Sequence, residues 1–290
     1  MSENAPGGTL HLANDLSISR MGYGALQLAG PHAMGPPKDH DEAIAVLREA
    51  VQLGITHIDT AGFYGPAVTN EIIKKALHPY PEGLRIVTKV GAYRPADGSW
   101  VLTRDPGELR HQVRENLQQL GVEALDVVNL RLGTAGGEDA VEESLAEPFG
   151  VLAELREQGL IRHLGLSTVT ANQLAQAQAI APVVTVQNFY NLANRQDEEL
   201  LAHCAAEGIA YVPFFPLGGF TPLQSDTLTS VATRLGTSVQ QVALAWLLQH
   251  SPTIAMIPGT STVAHLRDNV AAAELTLPAD AVAELDNIGK

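Results

Sequence analysis

The runs Thr56-His57-Ile58-Asp59-Thr60-Ala61-Gly62-Phe63-Tyr64-Gly65 and Arg85-Ile86-Val87-Thr88-Lys89-Val90-Gly91 place a carboxylate, a phenol and an ammonium at the ends of two short β-branched stretches. If one scaffold gathers them, Asp59 and Lys89 must pair, because a buried charge without a counter-charge is expensive. A cation beside the phenol of Tyr64 favours the ionised ring, so Tyr64 could give up or take a proton near neutral pH. That is the acid–base equipment for reducing a carbonyl by hydride transfer. Taken singly, Asp59 could be a helix cap and Tyr64 a packing residue with a satisfied hydroxyl. Lys89 resists such a reading: a lysine ending an Ile-Val-Thr run sends its stem inward and needs a charge partner.

Such residues work together only if the elements carrying them converge. Candidate strands centre on Met21–Gly24, Thr56–Asp59, Ile86–Lys89, Asp126–Leu130, His163–Leu166, Val183–Gln187, Ala210–Pro213 and Ala255–Ile257. Between them lie helical stretches at Asp41–Leu53, Pro106–Leu120, Val141–Gln158 and Gln196–Glu207. In Asp41–Leu53, for example, Ile44, Leu47, Ala50 and Val51 recur at helical steps, with Glu42, Arg48 and Glu49 on the other face. Strand and helix in alternation argue for a parallel sheet with helical crossovers, here a (β/α)8 TIM barrel. Gly54, Gly121, Gly159 and Gly208 follow the helical stretches, where glycine can adopt the left-handed conformation that ends a helix. Ahead of the barrel, Thr9–Leu12 and Leu16–Ser19 flank Asn14-Asp15 and read as a hairpin that could cap the barrel floor. No Ser- or Gly-rich linker interrupts the pattern, so residues 1–290 form a single domain. Asp59, Lys89, Arg131, Gln187, Phe214 and Gly259 all fall at or just beyond C-terminal strand ends, the rim where a barrel assembles its active site.

Composition narrows the function classes. Eighteen basic against thirty-two acidic residues give a net charge of −14, which repels nucleic acid and other polyanions. The single cysteine, Cys204, excludes an internal disulfide and a cysteine-based metal site and suits a reducing compartment. The ten histidines lack metal-ligand spacing, so no metal is expected. No apolar run is long enough to span a membrane, and the N-terminus lacks a charged-then-apolar leader, so a cytoplasmic location is expected. Oligomeric state leaves no signal in the sequence.

The Asp59–Tyr64–Lys89 spacing resembles the aldo-keto reductases, and the resemblance extends over nearly the whole chain. It implies NADP as cofactor, with NAD possible, and a small-molecule carbonyl substrate reduced to an alcohol. Gly22-Tyr23-Gly24 matches the end of the family's first strand, where backbone can approach a ligand closely. Gly165-Leu166-Ser167-Thr168 and Val186-Gln187-Asn188 match segments that hold the nicotinamide carboxamide; Thr168 replaces a more usual asparagine. Phe214, Phe215, Pro216, Leu217, Gly218 and Gly219 resemble the segment in which an aromatic ring stacks on the nicotinamide and backbone wraps the pyrophosphate. Phe214 takes a position usually held by tyrosine, and stacking needs only the flat face. Ile257-Pro258-Gly259-Thr260-Ser261 with His265, Asp268 and Asn269 matches the segment that grips the adenosine end. Thr260 and Ser261 are expected to open the following helix. Gly259 and His265 replace the family's frequent basic residues, which weakens the usual case for a 2′-phosphate. Arg267 is a possible substitute, although it lies one residue from the matching position.

The departure of most consequence is Arg131, at a strand end where most of the family has histidine. Arginine can orient a carbonyl or bind an anionic oxygen but cannot donate a proton, so the proton must come from Tyr64. The plainer alternative is that Arg131 turns away into a structural pair with a rim carboxylate. Its Asn-Leu-Arg context, with Gly22–Pro31, Tyr64–Pro66 and the run from Phe214, is similar to one bacterial branch of the family that includes pyridoxal reductases. The alternative is a low-turnover cofactor-binding redox sensor or regulatory subunit, which the loss of histidine would suit and the retained Asp59, Tyr64 and Lys89 would not. Substrate choice should lie in the loops Ala29–Asp39, Ala92–Arg104 and Leu132–Glu143, with Trp100 as a pocket wall, an exposed lid or plain packing.

Overall fold

The computed structural model describes residues 5–133, 143–219 and 223–289. Strands β1 (Thr9–Ala13) and β2 (Leu16–Ser19) form an antiparallel hairpin. The chain then runs through β3 (Tyr23–Gly24), α1 (His40–Gln52), β4 (His57–Asp59), α2 (Val68–Leu77) and β5 (Arg85–Val90). A small hairpin of β6 (Ala92–Tyr93) and β7 (Val101–Leu102) leads to α3 (Pro106–Leu120) and β8 (Leu125–Arg131). There follow α4 (Ala146–Glu157), β9 (Ile161–Ser167), α5 (Ala171–Gln178), β10 (Val183–Gln187), α6 (Glu198–Glu207) and β11 (Ala210–Tyr211). Helices α7 (Asp226–Leu235), α8 (Val239–His250), α9 (Val263–Ala271) and α10 (Ala279–Leu285) complete the chain.

Strands β3, β4, β5, β8, β9, β10 and β11 hydrogen-bond in that order, all parallel, in a seven-stranded sheet. The expected eighth strand at Ala255–Ile257 is not a regular strand. Residues 254–259 make isolated bridges to both sheet edges, Tyr211 with Ile254 on one side and Met21 with Met256 and Gly24 with Gly259 on the other, and so close the barrel. Met21 meets the last stave only through an isolated bridge and the regular strand begins at Tyr23, so the first strand is shorter than the sequence suggests. Closure needs the glycines: a Cβ on Gly24 would lie 2.4 Å from the Ile257 carbonyl oxygen, and one on Gly22 would lie 2.8 Å from that of Met256. Their missing side chains are therefore demanded by the seam between the first and last staves.

Two apolar layers result. Val46, Leu47, Ile73, Val113, Leu152 and Trp246 belong to the shell between helices and sheet. Inside the barrel, Val87, Val127, Val212 and Ala255 pack on Leu16 and Ile18 of the hairpin. Arg85, at the start of β5, donates to the Asp15 carbonyl at the hairpin tip, 3.2 Å. The hairpin thus plugs the N-terminal end of the barrel, and the C-terminal rim is left for chemistry.

Helix boundaries follow local rules. Asp39 caps α1 by accepting from the amides of Asp41 and Glu42. Gly54, Gly121, Gly159 and Gly208 stand just past their helices at positive φ, +85°, +69°, +79° and +69°. The stretch expected to be helical from Val141 starts only at Ala146; Val141 and Glu142 lie outside the described residues, and Glu143 to Leu145 are not helical. Pro148 explains the shift, because a proline is tolerated in a first turn, where its missing N–H has no partner to lose, but not inside a helix.

Candidate active site

The C-terminal rim holds a cleft that encloses about 990 Å³ when counted out to its open mouth. Asp59, Lys89, Arg131 and Gln187, from β4, β5, β8 and β10, line it together with Tyr64 and Trp100. Gly24, Phe214 to Leu217, Gly219 and Ile257 to Gly259 complete the opposite wall.

Asp59 and Lys89 are each 2% exposed and face each other across adjacent strands, with Lys89 Nζ 2.5 Å from Asp59 Oδ1. Nζ also donates to the Thr60 carbonyl, 2.9 Å away. Burial alone would push the Lys89 ammonium down, but the Asp59 charge, the Tyr64 phenol and hydrogen bonds to both outweigh it and hold the group above its ordinary value. Lys89 Nζ sits 5.0 Å from the centre of the Tyr64 ring. The turn carrying Tyr64 is held from outside: the Gly65 amide donates to the Ala33 carbonyl and the Gly35 amide to the Gly65 carbonyl, both at 3.0 Å. The Ala29–Asp39 loop, expected to border the substrate, thus fixes the turn that carries the phenol, and none of its residues lines the cleft.

Several supporting residues carry no recognisable sequence signal. Thr60 and Thr88 follow and precede the ion pair and point the other way along their strands. Thr60 donates to Asn70 on α2, and Thr88 and Asn70 both donate to Asn116 on α3. This buried network ties the two strands to the helices behind them. His57 lies in the barrel below Asp59, fully buried, with neither ring nitrogen hydrogen-bonded. Desolvation, with Asp59 opposing and Lys89 adding, lowers its pKa to about 4, so it adds no second positive charge beneath Lys89. On the outer side of β8, Arg104 donates to the carbonyls of Arg131 and Leu132, fixing the end of that strand.

Arg131 is 6% exposed and opens on the cleft, its Nε donating to the Gly133 carbonyl and its Cζ 5.5 Å from the Phe214 ring centre. Phe214 is backed by Phe189, stacked at 5.9 Å and 21°. Phe215 adopts φ +55°, and its ring lies against Gly219, where a Cβ would meet it at 2.5 Å. Trp100 is a wall of the cleft, edge-on to Phe63 at 5.4 Å and Tyr64 at 6.4 Å. The Arg94 guanidinium covers its outer face at 4.3 Å and donates to the His32 and Ala33 carbonyls, linking the two loops.

The expected cofactor residues divide into three groups. Ser167 Oγ, Thr168 Oγ1 and Gln187 Oε1 are buried at adjoining strand ends and lack hydrogen-bond partners; of these three residues Gln187 lines the cleft, while Ser167 and Thr168 are buried without lining it. Such orphaned groups cost about 1–3 kcal/mol each, so the site suits a ligand group that both donates and accepts. Gly24, Phe214, Phe215, Pro216, Leu217, Gly219 and Gly259 line the cleft, whereas Gly218 sits behind them at φ +94°. The rest are displaced from it. Tyr23 is fully buried, its hydroxyl donating to the Thr260 carbonyl at 2.6 Å, so its ring faces away from the cleft. Thr260 and Ser261 do not open the helix: Thr262 is the cap of α9, accepting from the His265 amide. Ser261, His265 and Asp268 are exposed beyond the cleft, and Asn269 is buried beside them. Glu42 accepts from the Val263 amide at the start of α9, and Arg267 pairs with Glu49 at 2.7 Å. Among the described residues no cluster of three His, Cys, Asp or Glu could hold a metal, and no helix is long and apolar enough to cross a membrane.

Comparison with known proteins agrees with this geometry. The model of the aldo/keto reductase family matches residues 20–290. Pyridoxine 4-dehydrogenase of Escherichia coli (strain K12) is 56% identical over 274 residues, covering 94% of this chain and 96% of that protein. A thermostable aldo-keto reductase solved with the inhibitor epalrestat superposes with a TM-score of 0.81 at 30% identity, over 97% of this chain and all of the other. An aldo/keto reductase from Klebsiella pneumoniae, solved with NADP and acetate, shares the fold at a TM-score of 0.79 and 22% identity, over 97% and 95% of the two chains. The rim constellation, the barrel and these matches agree: this chain belongs to the aldo/keto reductase family.

Proposed function

We propose that this chain reduces the aldehyde of pyridoxal to the alcohol of pyridoxine with NADPH, and runs the reverse reaction with NADP+. The observation that carries the reading is the buried Asp59–Lys89 pair beside Tyr64 in a cleft that also presents the Arg131 guanidinium. The relative at 56% identity, named a pyridoxine 4-dehydrogenase, supports the substrate. The orphaned Ser167, Thr168 and Gln187 atoms suit a nicotinamide carboxamide, and the Phe214 face suits its ring. Bound there, NADPH supplies the hydride. Tyr64 gives its proton to the carbonyl oxygen, Lys89 stabilises the phenolate that remains, and Asp59 keeps Lys89 neutralised. Trp100 and Leu217 give the same cleft apolar walls.

Arg131 cannot serve as the acid, because a guanidinium keeps its protons even when burial lowers its pKa, as it does here. Pyridoxal carries a ring oxygen, ionised at neutral pH, next to its aldehyde, and Arg131 meets that anion with a charge-assisted hydrogen bond. Losing such a bond costs about 1.5–3 kcal/mol, roughly ten- to a hundredfold. Arg131→Met is therefore expected to lower kcat/KM for pyridoxal by that factor and to spare benzaldehyde. Equal loss on both substrates means that Arg131 orients any carbonyl; no loss on either removes it from substrate binding. Steady-state NADPH oxidation with a panel of aldehydes tests the wider reading, since tight cofactor binding with no turnover on any of them would mark a redox sensor.

NADPH is expected to be preferred over NADH by less than in relatives with basic residues at the positions of Gly259 and His265. Glu42 at the start of α9 places a negative charge where a phosphate would gain from the helix dipole. With Arg267 held by Glu49, Arg267→Ala should change the ratio of the two dissociation constants by less than about threefold, the range of an exposed charge pair. A collapse of the preference in that variant would show that Arg267 reads the phosphate.

A further inference from the structure

Gln187 ends β10 and its side chain crosses the rim to Asp59, a residue 128 positions away, with Nε2 2.8 Å from Oδ2. The other Asp59 oxygen accepts from Lys89 Nζ at 2.5 Å in a buried ion pair, and a carboxylate so paired can only accept. Chemistry thus fixes the orientation of the Gln187 amide: nitrogen towards Asp59, oxygen away. That oxygen is buried, lacks a partner and belongs to a residue that lines the cleft.

We propose that Gln187 is a positioning residue that couples the nicotinamide carboxamide to the catalytic charge pair. The inference rests on the reading of this rim as the nicotinamide site. An acceptor held in one orientation selects a ligand donor, and the carboxamide NH2 provides one where a ketone or carboxylate does not. The carboxamide oxygen then meets the hydroxyls of Ser167 and Thr168, which can donate and are likewise unpartnered. The result is one continuous chain, ligand N–H to Gln187, Gln187 N–H to Asp59, and Lys89 to Asp59, in which each bond polarises the next. The contact that recognises the cofactor also holds Asp59 where it neutralises Lys89.

The test compares dissociation constants, from quenching of tryptophan fluorescence, for NADP+ and for its 3-acetylpyridine analogue, which keeps the carbonyl and replaces NH2 by methyl. The unmodified protein should bind NADP+ about ten- to a hundredfold more tightly, because the analogue leaves the Gln187 oxygen buried and unsatisfied. Gln187→Met should bring the two constants within about threefold. Asp59→Asn, whose amide can donate or accept, should let Gln187 turn over and cut the ratio at least threefold without touching the carboxamide. General loosening of the site would weaken both ligands alike and leave the ratio in place. If Asp59→Asn alone does not fold, the Asp59→Asn/Lys89→Met double variant removes the unpaired charge and is measured instead. A ratio near one in the unmodified protein, or an unchanged ratio when Asp59 is replaced, overturns the coupling. Unchanged NADP+ affinity in Phe214→Ala overturns the underlying placement of the nicotinamide, a separate failure.

Discussion

Tyr64→Phe is expected to lower kcat by about 10²–10⁴-fold, the contribution of a positioned general acid, while leaving the NADP+ dissociation constant nearly unchanged. The substitution removes one hydroxyl and little else. The ring keeps its edge contacts with Phe63 at 5.3 Å and Trp100 at 6.4 Å, and Lys89 keeps Asp59 and the Thr60 carbonyl as partners. Single-turnover oxidation of bound NADPH with a saturating aldehyde measures the chemical step directly. Undiminished turnover would remove Tyr64 from the mechanism and leave the site without an acid, since Arg131 cannot take the role.

Asp59→Leu is expected to cost about 3–5 kcal/mol of stability, because it strands a buried ammonium. The variant should also reverse the pH dependence. In the unmodified protein the folded-state pKa of Lys89 is raised, so its contribution is fully present below the unfolded value of about 10.4 and is lost only as pH rises through the still higher folded value. Without Asp59, desolvation dominates and the folded pKa falls below the unfolded one. The unfolded chain then binds more protons across the window between the two, and stability rises with pH up to about 10.4. Urea midpoints at pH 7 and pH 9 separate the cases: flat for the unmodified protein, increasing for Asp59→Leu. A loss under about 1 kcal/mol with a flat profile would show that Lys89 is not confined as its burial indicates.

Much of the fold was legible because burial imposes periodicity on sequence. The helical face of α1, the β-branched runs of β4 and β5 and the glycines after α1, α3 and α6 each answer to a local rule, and each lies where that rule puts it. The eighth stave was misjudged as a regular strand. It makes single bridges to neighbours on either side, a feature of barrel closure that no window of sequence contains. The start of α4 was misjudged by applying period alone, although Pro148 marked the boundary.

For the site, the sequence alone determined which chemistry was available: an acid, a cation to tune it and a carboxylate to balance the cation, all at strand ends. Side-chain type and strand phase are local properties, and they suffice to place Asp59, Lys89, Arg131 and Gln187 on one rim. Partner choice is different. That Gln187 reaches Asp59, that Trp100 becomes a wall steadied by Arg94, that Arg267 turns to Glu49 and that Thr60, Asn70, Thr88 and Asn116 close one network were decided by strand order, register and loop docking. Most of these contacts join residues far apart in the chain, such as Gln187 with Asp59 and Arg267 with Glu49. A hydrogen bond depends on distance and direction to within a few tenths of an ångström, a precision that only the assembled barrel supplies.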